Sequence, residues 1–139
     1  DGGAARGRRD GRVSTLVIDA SAILAMIFDE AGGDMVADVC DGAVLNAVNL
    51  DEVLHKVARR GMDPIMVETQ LSRLGISVVA FDARQARVSA ALLSLLTGTD
   101  TSFADRACLS MGLMLDATVL TADAKWMGLG LDVDIRLIR

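Results

Sequence analysis

Cysteine and histidine are scarce in this chain, which restricts the kinds of metal or cross-linked site that it could form. The two cysteines, Cys40 and Cys108, are far apart and lie in apolar or helical contexts. We therefore expect reduced structural thiols rather than a disulfide or a metal-binding pair. The single histidine, His55, cannot build a zinc site or a catalytic triad by itself.

Long apolar runs and aromatic residues are also missing or rare. No apolar run approaches the roughly 18 residues that a membrane span needs, and the start, "DGGAARGRRDGRV", has no hydrophobic signal core. We expect a cytoplasmic protein with no membrane contact. Aromatic residues make up 3% of a chain that is 52% hydrophobic, so the core must consist of Leu, Val, Ile, Ala and Met. That composition suits helices packed on a buried sheet.

Runs of β-branched and apolar residues alternate along the chain with segments of helical periodicity. We expect strands at 14–18, 42–46, 76–81, 117–123 and 133–138, and helices at 20–28, 33–40, 49–60, 63–75, 83–96 and from residue 102 onward. Such strands pair in parallel through right-handed crossovers. The sequence therefore predicts an α/β fold, with a central parallel sheet of about five strands and helices on both faces.

The segment before residue 14 differs in composition from the rest of the chain. It is rich in glycine and arginine and has few apolar residues to bury. We predict a disordered arm over residues 1–13 and a single folded domain over residues 14–139.

Four acidic residues are expected at one edge of the sheet. Asp19 directly follows the first strand, and Asp123 directly follows "TVLTA". Ligands of open parallel sheets bind beyond the carboxyl ends of the strands, so both acids face the same crevice. Glu52, one turn into the helix after "VLN", and Asp105, in the first turn of the helix opened by Ser102, could reach it too. Asp19 taken alone could equally be a helix cap.

A cluster of four carboxylates needs a compensating positive charge. Two like charges about 4 Å apart repel by roughly 4 kcal/mol at an effective dielectric constant near 20. The cluster must therefore bind protons or a cation. Carboxylates are hard oxygen ligands, which favours Mg²⁺ or Mn²⁺.

The same residues carry a resemblance to a known family. The segments "LVIDASAILA", "LNAVNLDEVLHKV", "SFADRACLSMG" and "VLTADAKW", in this order, resemble the PIN domain, and in particular the VapC ribonuclease toxins of bacterial toxin-antitoxin pairs. The resemblance runs from about residue 14 to the C-terminus. It implies a three-layer α/β sandwich and a Mg²⁺- or Mn²⁺-dependent endoribonuclease. The acidic quartet that it implies, as both catalytic residues and metal ligands, is Asp19, Glu52, Asp105 and Asp123.

The resemblance also implies further site residues and partners. Ser21 matches a small hydroxyl residue after the first acid, and Thr121 matches a hydroxyl or Asn position beside the last. Arg106 and Lys125, near quartet acids, could hold phosphates, although exposed cations are often only solvated. The implied substrate is structured or looped RNA, such as tRNA or rRNA. The implied partners are a VapB-like antitoxin and a second copy of the chain, which pairs through apolar helices.

Two alternatives remain at this point. A phosphoacceptor receiver domain also holds Mg²⁺ at a strand end, but it needs paired acids there, and Asp19 stands alone. A PIN fold that serves only as a protein-binding module is the other, although such a module would have little reason to keep four repelling acids. Within the quartet, Asp100 is a rival to Asp105 that we interpret as a loop residue.

Overall fold

The computed structural model of the chain describes residues 6–9 and 12–139. Within these residues, six strands and six α-helices alternate much as the sequence predicts. The strands are β1 (Arg6–Arg9), β2 (Arg12–Ile18), β3 (Val44–Asn46), β4 (Ser77–Val79), β5 (Thr118–Thr121) and β6 (Asp134–Leu137). The helices are α1 (Ala20–Ile27), α2 (Gly33–Val39), α3 (Ala47–Arg59), α4 (Pro64–Arg73), α5 (Ala83–Leu95) and α6 (Phe103–Leu115), and a short 3₁₀ helix covers Ala124–Gly128.

The central sheet has the strand order β4-β3-β2-β5-β6, and all of its pairings are parallel. Val17 in β2 lies opposite Val44 on one side and Val119 on the other. The carboxyl ends of β3, β2 and β5 therefore lie next to one another at one edge. The predicted parallel sheet of five strands with helices on both faces is confirmed.

Two apolar clusters cover the two faces of the sheet. Leu16 and Ile18 point to the face covered by α1 to α4, whereas Val17 points to the face covered by α5, α6 and Trp126. This follows from the two-residue period of side chains along a strand. Full burial of each such aliphatic side chain stabilises the fold by about 1.5–3 kcal/mol. The centre of the sheet is thus buried on both faces, and both cysteines are buried as free thiols.

Local hydrogen bonds explain where several helices begin. Asp63 accepts from the Ile65 amide at 3.0 Å and precedes a proline, and Asp82 accepts from the Gln85 amide at 2.9 Å. The helix α3 begins two residues before the predicted position, because Asn46 accepts from the Val48 amide at 2.9 Å and ends β3 at the same residue. In each case the capping oxygen satisfies an amide that has no partner inside its helix.

Part of the N-terminal segment, for which the sequence predicts a disordered arm, lies among the described residues. Arg6–Arg9 form a strand that pairs antiparallel with β2, and β2 itself begins at Arg12. The ladder uses backbone amides and carbonyls, so a polar, arginine-rich segment can extend it without an apolar core of its own. Residues 1–5, 10 and 11 lie outside the described residues, and the domain boundary at residue 14 stays a prediction. Across the described part of the chain, no helix has the length and apolar character to span a bilayer.

Candidate functional site

Asp19 lies at the carboxyl edge of the sheet and is held there from two sides. Its amide donates to the Leu120 carbonyl at 2.9 Å, which ties it to β5. Its side chain is 5% exposed, and its Oδ2 accepts from Ser21 Oγ at 2.6 Å and from Thr121 Oγ1 at 2.9 Å. Its side chain makes no capping bond to α1. Asp19 thus occupies the N-cap position of α1, but its carboxylate is oriented by the two hydroxyls and does not cap the helix.

Ser21 and Thr121 connect this carboxylate to the backbone after β5. Ser21 Oγ accepts from the Ala122 amide at 2.9 Å, and Thr121 Oγ1 accepts from the Asp123 amide at 3.1 Å. Each hydroxyl therefore donates a hydrogen bond to Asp19 and accepts one from a backbone amide. Both predicted residues thus orient Asp19, and their contact with a substrate stays a prediction.

The surroundings of Asp19 disfavour its charged form. Burial is the largest cause that raises its pKa, from 3.8 to about 6, and repulsion by Glu52 and Asp105 adds to it. The hydrogen bonds from the two hydroxyls act in the opposite direction. The protein therefore brings Glu52 and Asp105 close enough to Asp19 to disfavour its negative charge.

Asp105 is fixed by a capping box with Ser102 at the start of α6. Its Oδ2 accepts from the Ser102 amide at 2.9 Å, and its own amide donates to Ser102 Oγ at 3.1 Å. Burial raises the pKa of this half-buried carboxyl, and repulsion by Asp123 and Asp100 contributes. The rival acid, Asp100, is 86% exposed and pairs with Lys125 Nζ at 2.8 Å.

Glu52 depends on a residue that sequence reasoning missed. Its Oε1 accepts from Asn49 Nδ2 at 3.0 Å, and the same Nδ2 donates to the Ala104 carbonyl at 3.0 Å. Asn49 is fully buried, and its Oδ1 has no partner among the described residues. It joins α3 to the first turn of α6, and so sets Glu52 relative to Asp105. The one signal in the sequence is an amide inside an apolar run, which needs a partner when it is buried.

A second missed asparagine braces the same edge. Asn46, at the end of β3, is fully buried and donates from Nδ2 to Gln85 Oε1 at 2.8 Å and to the Ala107 carbonyl at 3.3 Å. It therefore joins β3 to both α5 and α6.

Asp123, the fourth acid, follows β5 and caps the next helix. Its Oδ1 accepts from the Lys125 amide at 3.0 Å, which caps the 3₁₀ helix. Its charge acts on Asp105. Among the residues that the structure describes, no three acidic, histidine or cysteine side chains are close enough to form a ready-made metal cluster. Mg²⁺ commonly binds through one or two carboxylates and keeps several waters. The hard oxygen donors at this edge therefore fit such an ion.

The two predicted phosphate ligands lie near the acids in different environments. The Arg106 Cζ lies 5.8 Å from the centroid of the Phe103 ring, and its Nε is buried with no hydrogen-bond partner in the described part of the chain. Lys125 is 65% exposed and is engaged by Asp100. Phosphate binding by either residue stays a prediction.

Comparisons with known proteins agree with this architecture. A toxin-antitoxin complex from Klebsiella pneumoniae contains a chain that superposes with a TM-score of 0.75 at 11% identity, over 90% of this chain and 98% of that one. A chain of VapBC2 from Rickettsia felis, bound to a promoter DNA fragment, superposes with a TM-score of 0.67 at 13% identity, over 88% of this chain and 97% of that one. A chain of FitAB bound to an IR36 DNA fragment superposes with a TM-score of 0.69 at 18% identity, over 89% of this chain and 95% of that one. At these identities the likeness establishes the fold.

Sequence comparison supplies the family. No curated protein matches the chain. The family model of the PIN domain matches residues 16–128, which is most of the chain and includes all four acids of the edge. The chain therefore belongs to the PIN domain family.

Proposed function

We propose that this protein is a Mg²⁺- or Mn²⁺-dependent endoribonuclease and the toxin of a VapBC-type toxin-antitoxin pair. PIN domains are nucleases that generally use divalent metal ions. The observation that carries the proposal is the buried Asp19 carboxylate, which is oriented by two hydroxyls and lies within the electrostatic reach of Glu52 and Asp105. A fold that needed only stability would not favour three repelling acids at one edge.

The chemistry follows from the roles of these side chains. Asp19 and Asp105 would hold the cation, and Glu52 and Asp123 would complete the donor set or orient water. When bound, a divalent cation lowers the pKa of water and offsets negative charge on the phosphoryl group. Ser21 and Thr121 hold Asp19 in one orientation, so little reorganisation is needed during hydrolysis of the phosphodiester bond. Asn49 does the same for Glu52.

The partners belong to the same proposal. The structural neighbours come from toxin-antitoxin complexes, which supports a VapB-like antitoxin. A second copy of the chain would bind through apolar helices. A cavity of about 350 Å³ between α1 and α4, lined by Met26, Ile27, Met62 and Met66 among others, offers an apolar surface for such a contact. We propose structured or looped RNA, such as tRNA or rRNA, as the substrate. A cytoplasmic location is consistent with the two buried free thiols.

The test is cleavage of total cellular RNA by the purified chain in Mg²⁺ or Mn²⁺. We expect discrete products that disappear with EDTA, and at least about a 100-fold loss of rate in Asp105→Asn, because this change replaces an anionic oxygen donor of the cation with a neutral amide. Asp51→Asn is the matched control, since it removes an exposed negative charge next to Glu52. Absence of cleavage with either metal would instead favour a PIN fold that only binds proteins.

A further inference from the structure

A groove lined by positive side chains opens next to the acidic edge. It has a volume of about 420 Å³, and Lys56, Arg59, Arg60 and Arg139 contribute its cations. Ser21 forms part of its wall, and the Ser21 hydroxyl donates to Asp19 at 2.6 Å. The groove therefore begins where the candidate site ends.

The cations form a row along α3. Lys56 lies four residues after Glu52, and Arg59 lies seven residues after it. The three side chains therefore share one face of the helix. At 1.5 Å per residue, Arg59 lies about 10 Å farther along the helix axis than Glu52. The row therefore leads away from the acids in one direction, as a strand passing through the site would.

Two of the cations are already positioned by contacts with the groove wall. The Arg60 guanidinium lies over the Phe28 ring, with Cζ 4.1 Å from its centroid. This contact restricts the side chain. Arg139 donates to the Ala31 carbonyl at 3.0 Å and lies 3.6 Å from Glu30 Oε1. Both guanidinium groups retain further N–H donors, since Arg has five.

The groove carries an excess of positive charge in a protein whose net charge is −5. Glu30 is the acidic residue in its lining. Lys56 and Arg59 are exposed, and no salt bridge to either is found among residues 15–139. Unpaired Lys and Arg side chains in a concave surface attract anions, and phosphodiester groups are the anions that a nuclease must bind.

We propose that this groove is a subsite for phosphodiester groups of the RNA strand on one side of the cleaved bond, with Lys56 and Arg59 as its phosphate contacts. The proposal rests on the proposed ribonuclease function. It supplies what the acidic edge cannot, because four carboxylates repel a polyanion. The row of cations would hold the strand while the neighbouring bond lies at Asp19.

The test measures binding of a fluorescently labelled single-stranded RNA in EDTA, where no cleavage occurs, between about 50 and 200 mM salt. Loss of two phosphate contacts in Lys56→Gln/Arg59→Gln should reduce the slope of log K against log salt by about 1.4. When the salt rises from about 50 to 200 mM, the factor by which the variant loses affinity should be about sevenfold smaller than the factor for the wild type. Arg73→Gln/Arg87→Gln is the control, because it removes two exposed helical cations outside the groove and should keep the wild-type slope.

Further variants protect the result against unfolding. If circular dichroism shows that the double variant is unfolded, Arg59→Gln alone should reduce the slope by about 0.7. Arg59→Lys should restore most of the wild-type slope, because the charge is kept. An unchanged slope in folded groove variants, an equal loss in the control, or failure of the wild type to bind RNA while it binds poly-glutamate would overturn the proposal.

Cleavage by the wild type in Mg²⁺ separates this subsite from the ribonuclease proposal. Metal-dependent cleavage together with an unchanged slope in the groove variants would remove the subsite and leave the nuclease. A reduced slope in a protein that cleaves no RNA would support the groove as an RNA-binding surface and remove the nuclease.

Discussion

Asp19 shows how a single side chain of the candidate site opposes folding. Its carboxyl is buried, and Glu52 and Asp105 add repulsion, so the folded protein binds the Asp19 proton more tightly than the unfolded chain does. The folded pKa is about 6 against an ordinary 3.8, so stability decreases as the pH rises from about 4 to 6 and stays low above that. A difference of this size corresponds to about 3 kcal/mol.

We therefore expect Asp19→Asn to stabilise the metal-free protein at pH 7 by up to about 3 kcal/mol while it abolishes cleavage. The amide oxygen can still accept from Ser21 and Thr121, and it has no proton to lose. Thermal unfolding in EDTA, followed by circular dichroism between about pH 4 and pH 8, measures the difference. Asp51→Asn, at an exposed position, is the control. A stability difference that does not vary with pH would contradict the explanation.

Helices meet the acidic edge through buried amides rather than through apolar packing alone. Asn49 joins α3 to α6, and Asn46 joins β3 to α5 and α6. These bonds set the spacing between Glu52 and Asp105, since each acid lies within one turn of a bonded group. Buried amides of this kind are demanding, because loss of one partner leaves the other unsatisfied.

Asn49→Leu tests this link. It should lower the free energy of unfolding by about 1–3 kcal/mol, because the Ala104 carbonyl loses a partner. Cleavage by the folded fraction should decrease by about 10- to 100-fold, as for other residues that orient a metal ligand. Chemical denaturation and initial rates measure the two effects.

Ser110→Ala separates positioning from stability in that experiment. The Ser110 hydroxyl is buried in α6 and donates to the Ala107 carbonyl at 2.9 Å. Its loss should destabilise the fold with little effect on the cleavage rate. Equal effects on rate in the two variants would mean that Asn49 acts only through stability.

The molecule as a whole combines a nearly neutral surface with local concentrations of charge and apolar area. Of 19 acids, four belong to the quartet, and the remaining 15 nearly balance 14 lysines and arginines. A polyanion would therefore be attracted only where the cations are concentrated, as in the groove along α3. On α4, Ile65 is 75% exposed and Met66 is 63% exposed, and Met66 lines the apolar cavity shared with α1.

This apolar surface leads to a prediction about assembly. We expect the wild type to be a homodimer and Ile65→Glu/Met66→Glu to be monomeric, because two charges in an apolar contact would remain unpaired. Light scattering after size-exclusion chromatography measures the mass. The control is Leu95→Glu on α5, which is 66% exposed and lies on the other side of the sheet. A monomeric wild type, or dissociation by the control, would contradict the prediction.

Much of this protein could be predicted from local patterns. The alternation of apolar runs and helical periods predicted the parallel sheet, and the rule for ligands at its carboxyl edge predicted where Asp19 lies. The caps at Asp63, Asp82 and Ser102 were predictable because each involves atoms two or three residues apart. The pairing of Arg6–Arg9 with β2 was not predicted, because an arginine-rich segment carries no periodic apolar signal.

The properties of the site depend on groups that are distant in the sequence. Thr121 and Asp19 are 102 positions apart, and Asn49 and Ala104 are 55 apart. Burial and the approach of Glu52 and Asp105 raise the pKa of Asp19, and both exist only in the folded chain. The order of residues thus dictated the elements, their caps and the edge at which the acids lie, since these follow from short-range geometry. Folding in three dimensions settled which polar groups meet and how strongly their charges interact, because desolvation and Coulomb energy depend on distance in space rather than along the chain.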